Sequence, residues 1–296
     1  MRRAVRALLL SLVALPALAG GIAVHDDRGM VVEMPRPALR IVSLAPFITE
    51  LVYAAGAGDR IIAVTAYSDY PPAARNLPQV GDAVSLGLER LLALKPDLVI
   101  AWKSGNRPTD VTRLEQLGVP VLVVEAQRLD DIAGLLRRIG MAAGTTGGEK
   151  AAGAFETRLS VLRSRYAKAR PVRVFLEIWH SPPMTVSGRH FASDAMAVCH
   201  GVNIFADAPG LAPQVSAEAV LAVDPEAIIG SASNETSQTA AENWRRFPEM
   251  RAVRLGAVFH VDPDLIQRQT PRILDGIEQI CTALDRVRAG AVRATH

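Results

Sequence analysis

Residues 88–100 read LERLLALKPDLVI, and residues 217–229 read AEAVLAVDPEAII. Aligned without gaps, Glu89 meets Glu218, Leu92 meets Leu221, Pro96 meets Pro225 and Asp97 meets Glu226. Each copy reads as a short amphipathic helix, a Pro-acid turn and an apolar strand rich in branched residues. The repetition predicts two similar α/β lobes, each with an acidic residue at an equivalent place. Chance is the competing explanation, because helix–Pro–strand units recur throughout α/β folds. Two lobes enclose a cleft, and clefts between domains are where small ligands usually bind.

The pattern around each copy agrees. IAVHDDRGMVVEM alternates apolar and polar residues about Asp27-Arg28-Gly29, a hairpin signal. RIVSL reads as a buried strand, Pro46 opens a helix that Gly56 stops, and strand IIAVTAY follows. Beyond the first copy come helix TDVTRLEQLG, strand PVLVVE and helix LDDIAGLLRRIGMAAG. From Gly148 to about Lys168 the chain holds helix formers and no strand signal. RVFLEIW then starts a second alternating set, through helix SDAMAVCHG, strand AVFHVD and a closing helix from Pro271 to about Arg288. The fold class is α/β: two Rossmann-like lobes with mainly parallel sheets, joined by a single long helix. The divisions are a leader over 1–19, an N-terminal lobe over 20–146, the bridging helix over 147–170 and a C-terminal lobe over 171–296. A single bridging helix predicts modest closure about a ligand.

MRRAVR followed by ALLLSLVALPALA has the basic and apolar regions of a secretory signal peptide, ending in the small-residue motif Ala17-Leu18-Ala19. The expected location is the periplasm of a Gram-negative cell, and no cysteine near the cleavage site points to a lipid anchor. Of 33 Lys and Arg, Arg2, Arg3 and Arg6 leave with the leader, and the remaining 30 balance 30 Asp and Glu. That neutrality gives no reason to expect nucleic acid as a partner. The chain is expected to be a monomer. Cys199 and Cys281 are most simply a disulfide in an oxidising compartment, with buried thiols or half of a metal site as the alternatives.

RIVSLAPFITEL, AYSDYPPAAR, LERLLALKPDLVIAW, VCHGVNIF, PQVSAEAVL and TPRILDGIEQICTAL together resemble the periplasmic substrate-binding proteins of cobalamin importers. More broadly they resemble the helical-backbone class, whose members also carry siderophores, haem and some metal ions. The likeness runs over about residues 38–290. It implies capture of a corrinoid, cobalamin, in the cleft and delivery to the permease dimer of an ABC transporter. Cobalamin is then a transported ligand and no cofactor is implied. Glu89 and Glu218 match the paired acids that dock on permease arginines, and Cys199 and Cys281 match cysteines that pair.

For the ligand, Tyr67 and Trp102 match cleft aromatics, and both read as strand-end positions. Asp264 and Arg268 match a polar corner, with a loop salt bridge as the plainer reading. The chain departs from the family at Ala83, Met184, Ala212 and Leu265, where relatives carry aromatics. The loop IWHSPPMTVSGRHF reads as rebuilt, with Trp179 and His180, and further along His190 and Phe191, as the nearest replacements and Met184 able to pack on a large ring. A ferric siderophore or haem is the alternative ligand. Haem would draw on Tyr67 or Tyr70; an anionic siderophore would call for an arginine cluster that the sequence does not display. No H-x-x-H indicates a metal site, and an enzyme is disfavoured by the absence of G-x-S-x-G, P-loop and G-x-G-x-x-G motifs.

Overall fold

The computed structural model describes residues 21–82, 85–231 and 243–290. The leader read over 1–19 and Ala83 lie outside the described residues. Strands β1 (Ile22–His25) and β2 (Val31–Met34) form the antiparallel hairpin. Its turn is held by the Asp26 carboxylate, which accepts from the backbone N–H of Arg28 (2.8 Å) and Met30 (2.9 Å).

The first sheet comprises β3 (Ile41–Ser43), β4 (Ile61–Val64), β5 (Leu98–Trp102) and β6 (Val121–Val124), in the order β4-β3-β5-β6 and parallel throughout. Alternate side chains leave opposite faces of a strand, so one sheet feeds two layers. Ile41, Leu98 and Ile100 pack with Ile48 and Leu51 of helix α1 (Pro46–Ala54) and Leu136 of α4 (Leu129–Ala143). Val42, Val99 and Ala101 pack with Leu91 of α2 (Leu88–Ala93) and Leu114 of α3 (Pro108–Gln116). The near-continuous apolar runs of these strands follow from having both faces covered.

The second sheet has β7 (Val172–Glu177), β8 (Gly201–Asn203), β9 (Ala227–Gly230) and β10 (Val258–His260), in the order β10-β9-β7-β8 and again parallel. Val174 and Leu176 face α6 (Phe191–Val198) and the closing helix Ile273–Arg288. Phe175 and Ile228 face α7 (Ala217–Val223) and Trp244. Strand β8 is absent from the sequence reading: it is three residues long and contains an asparagine, so no periodicity marks it.

The sequence repeat is a structural repeat in atomic detail. In the first copy, Asp97 N–H donates to Arg40 O and the Asp97 carboxylate accepts from Arg40 N–H, just before β3. In the second, Glu226 N–H donates to Arg173 O and the Glu226 carboxylate accepts from Arg173 N–H. The Arg40 guanidinium satisfies the carbonyl of Leu94 at the end of α2, and the Arg173 guanidinium that of Val223 at the end of α7. Lys95 and Asp224, which meet in the alignment, both have positive φ (49° and 48°). Each lobe thus closes its helix end with a left-handed residue at the same position and its strand start with an acid at the same position.

Helix α5 (Gly147–Tyr166) joins the sets; its 20 residues span about 30 Å. It crosses α4 so closely that a Cβ at Gly148 would lie 2.3 Å from Leu136 O. Cys199, just after α6, and Cys281 in the closing helix form a disulfide, which removes the thiol and metal alternatives for this pair.

Candidate functional site

Parallel strands deliver their C-terminal ends to one edge, and here both sheets point that edge at the gap between the lobes. The result is a cleft of about 610 Å³. On the N-terminal side it is lined by Phe47 from the first turn of α1, Trp102 from the last position of β5, and Glu125 just past β6. The C-terminal side supplies Ile178, His190, Phe191, Leu211, Asp264, Arg268 and Gln269.

Trp102 is fixed from several directions. Phe47 meets it edge-on, with centroids 5.7 Å apart and planes at 83°. Its indole N–H donates to Glu125 Oε1 (3.1 Å), and its backbone N–H donates to Asn106 Oδ1 (2.6 Å). Gly105 lies against the ring: a Cβ there would stand 1.8 Å from Trp102 Cε3, so a side chain at 105 would displace the indole.

Opposite, His190 caps α6, its Nδ1 accepting from Ala192 N–H (3.1 Å), and its ring stacks on Phe191 at 4.5 Å. Burial of the imidazole lowers its pKa from 6.5 to about 4, so at neutral pH it is an uncharged group.

The polar corner is a cross-lobe network. Arg268 Nη1 donates to Glu50 Oε1 (2.8 Å) and Asp69 Oδ1 (3.0 Å), while Nη2 pairs with Asp264 (2.8 Å) and reaches Tyr67 O (3.5 Å). Arg272 adds bonds of 2.9 and 3.0 Å to Glu50 and lies 3.8 Å above the Tyr70 ring centroid. Burial pushes the Asp264 carboxyl above its ordinary range, against the pull of Arg268.

Of the residues chosen from sequence, Trp102, Asp264 and Arg268 line the cleft together. Tyr67 does not sit on a strand end. β4 stops at Val64, the chain turns through Thr65 and Ala66, and Tyr67 adopts φ 65° with its side chain largely in solvent (79% exposed). Trp179 (61% exposed) donates to Ser181 O, and Met184 bridges Trp179 and Gln214; neither lines the cleft. His180 also lies outside the lining. Its Nδ1 meets Glu177 Oε1 at 3.0 Å and its Nε2 meets the Asn243 amide, so both ring nitrogens are engaged within the lobe. Glu177, buried at the end of β7 and also bonded by Trp244 Nε1 (3.1 Å), has its pKa raised, chiefly by burial. Ala212 is exposed and Leu265 half-buried.

Sequence reasoning missed Phe47, Glu50, Glu125 and Gln269. Glu125 follows strand β6, so the strand-end rule that selected Trp102 would have found it. Phe47 follows the helix-opening Pro46 in a stretch already read as notable. Nothing local marks Gln269 or Glu50, whose partners come from the other lobe.

Glu89 and Glu218 are exposed in the first turns of α2 and α7, equivalent places on the two lobes. Its own backbone N–H and the Ser216 hydroxyl hold the Glu218 carboxyl below its usual range. Among the described residues no group of three or more His, Cys, Asp or Glu is placed to hold a metal ion, and no helix is long and apolar enough to cross a membrane.

Two parallel-sheet lobes facing each other across a lined cleft, with one long helix between them, define a binding protein of the two-lobed, helix-linked class. The chain belongs to the periplasmic binding protein family, whose model matches residues 41–265. It is 42% identical over 255 residues to the vitamin B12-binding protein of Vibrio cholerae, covering 84% of this chain and 90% of that one. It is 36% identical to the vitamin B12-binding protein of Yersinia pestis, covering 94% and 91%. The crystal structure of the periplasmic vitamin B12 binding protein BtuF of Vibrio cholerae superposes with a TM-score of 0.80 at 40% identity, over 85% of this chain and 98% of that one. A periplasmic heme-binding protein, RhuT of Roseiflexus, shares the fold at a TM-score of 0.75 and 23% identity.

Proposed function

We propose that this protein captures a corrinoid, vitamin B12, in the inter-lobe cleft and delivers it in the periplasm to the permease of an ABC importer. The observation that carries the reading is the character of the cleft, set beside the 42% identity to a vitamin B12-binding protein. Its walls are aromatic and aliphatic: Phe47 and Trp102 on one side, Ile178, Phe191 and Leu211 on the other. A flat macrocycle is held by such faces at little cost in side-chain order. The polar positions include Gln127 and Gln267, whose amide side chains suit the neutral amide arms of a corrin. The charged lining groups, Lys103, Arg189 and Arg268 against Glu125 and Asp264, nearly cancel, and Arg268 is held by carboxylates. An anionic siderophore complex would find a surplus of one positive charge in that lining, not a cluster of free arginines.

In this reading Trp102, Asp264 and Arg268 meet the ligand inside the cleft. Tyr67 and Trp179 meet the part that projects from it, and His180 and Met184 support the Trp179 loop. These groups bind; none performs a covalent step. Glu89 and Glu218 dock the loaded protein on two equivalent basic sites of a permease dimer, one per lobe.

Equilibrium dialysis of the mature protein against cyanocobalamin, haemin and a ferric hydroxamate tests the ligand. One equivalent of cyanocobalamin retained, with neither iron compound, is the expected result. Retention of haemin alone would overturn the corrinoid reading and make the exposed Tyr67 phenol the candidate ligand group.

A further inference from the structure

Glu125 occupies a junction that no ligand-binding role by itself explains. Its Oε1 accepts two hydrogen bonds: from the indole of Trp102 (3.1 Å), on the same lobe, and from Gln269 Nε2 (2.7 Å), on the other. Oε2 accepts from Ser104 N–H (3.0 Å), and the Glu125 backbone N–H donates to Asp27 Oδ2 (2.7 Å) in the hairpin turn. Gln269 is buried, at 4% exposure, and its Oε1 accepts from Ala126 N–H (2.8 Å). The amide of Gln269 therefore clasps residues 125 and 126 at two points, and this clasp forms the floor where the lobes meet.

The consequence is mechanical. The Trp102 ring is one wall of the cleft, and the atom that orients its N–H also receives the other lobe. A change in lobe separation alters the second bond to Oε1 and so the bond to the indole. A ligand pressing on the indole acts through the same oxygen in the opposite direction. A carboxylate serves this place because it accepts on every side; three donors converge on it and it offers none.

We propose that Glu125 is a positioning residue that couples the orientation of Trp102 to the contact between the two lobes through Gln269. The proposal rests on the cleft being the ligand site, but its first test needs no ligand. The indole N–H resonances of 15N-tryptophan-labelled protein report hydrogen bonding at Trp102, Trp179 and Trp244 separately, and Trp102→Phe assigns the first. Gln269→Glu sets a carboxylate against Glu125 and lies on the opposite lobe from Trp102. It is expected to move the Trp102 resonance while leaving that of Trp244, bonded to Glu177, in place. Gln269→Ala, which removes the donor to Oε1 without adding charge, should move the Trp102 resonance as well, and by less. With ligand, Gln269→Glu should raise the dissociation rate of cyanocobalamin roughly tenfold, as expected for losing a bond to a charged group.

A Trp102 resonance indifferent to residue 269 overturns the coupling, whatever the ligand. If the resonance moves as expected and cyanocobalamin fails to bind the unaltered protein, the coupling stands and the corrinoid assignment falls. Should Gln269→Glu fail to fold, judged by loss of the Trp244 resonance, Gln269→Ala makes the same test by removing the bond without adding charge.

Discussion

Glu50, buried in helix α1, accepts a 2.8 Å hydrogen bond from Arg268, which lies just ahead of the closing helix in the other lobe. Arg272 bonds the same carboxylate, so one buried acid holds two arginines from across the molecule. Removing the acid strips Arg272 of its carboxylate and leaves Arg268 to Asp69 and Asp264 alone. Glu50→Ala is expected to destabilise the protein by about 3–5 kcal/mol, read as a lower urea midpoint. An unchanged midpoint would mean that the network contributes nothing to holding the lobes.

The burial of His190 predicts a pH dependence. In the unfolded chain it titrates near 6.5 and in the folded protein near 4, so between these values the unfolded state binds the extra proton. Stability from this group is complete above about pH 6.5 and is lost as pH falls towards 4, by up to about 3 kcal/mol. Asp264 and Glu177, whose pKa values are raised, work in the opposite sense at the acid end, so the comparison must isolate the histidine. Denaturation of wild type and His190→Asn at pH 7.5, 6 and 5 should show a shallower decline in the variant. Parallel curves would refute the assignment.

The disulfide spans a sequence separation of 82 residues and ties the end of α6 to the closing helix. In the chain-entropy view a loop of that length contributes about 4–5 kcal/mol. Cys199→Ala with Cys281→Ala should lower the urea midpoint accordingly, and dithiothreitol should affect the wild type alone.

The proposed docking role of Glu89 and Glu218 predicts that binding and delivery can be separated by mutation. With both changed to Arg, calorimetry should give an unaltered affinity for cyanocobalamin. Uptake of labelled cyanocobalamin by cells relying on this protein should fall at least about tenfold, because charge reversal at a rim sets like charges together. Uptake at the wild-type level would remove these residues from the interface.

The fold was legible because its signal is local. The helix–Pro–acid–strand phrase carries its own caps and turn, and it repeats, so positions such as Asp97 and Glu226 could be paired before their matching hydrogen bonds to Arg40 and Arg173 were seen. The cleft was legible where a single strand end decides the outcome, as at Trp102. It was not legible where partners lie about 200 residues apart, as for Glu50 and Arg268, because no spacing rule links them. The 178–191 loop shows the same limit. Its composition marked it as unusual and offered His190 and Phe191, which reach the wall, beside Trp179 and His180, which do not; only the folded chain engages His180 with Glu177 and Asn243.

The most direct test of the central claim is a calorimetric titration of the mature protein with cyanocobalamin, beside Trp102→Ala. The account predicts one site with a Kd below about 1 µM, weakened at least about tenfold in the variant. No heat at ligand concentrations near 100 µM, or equal affinity in both proteins, would contradict it.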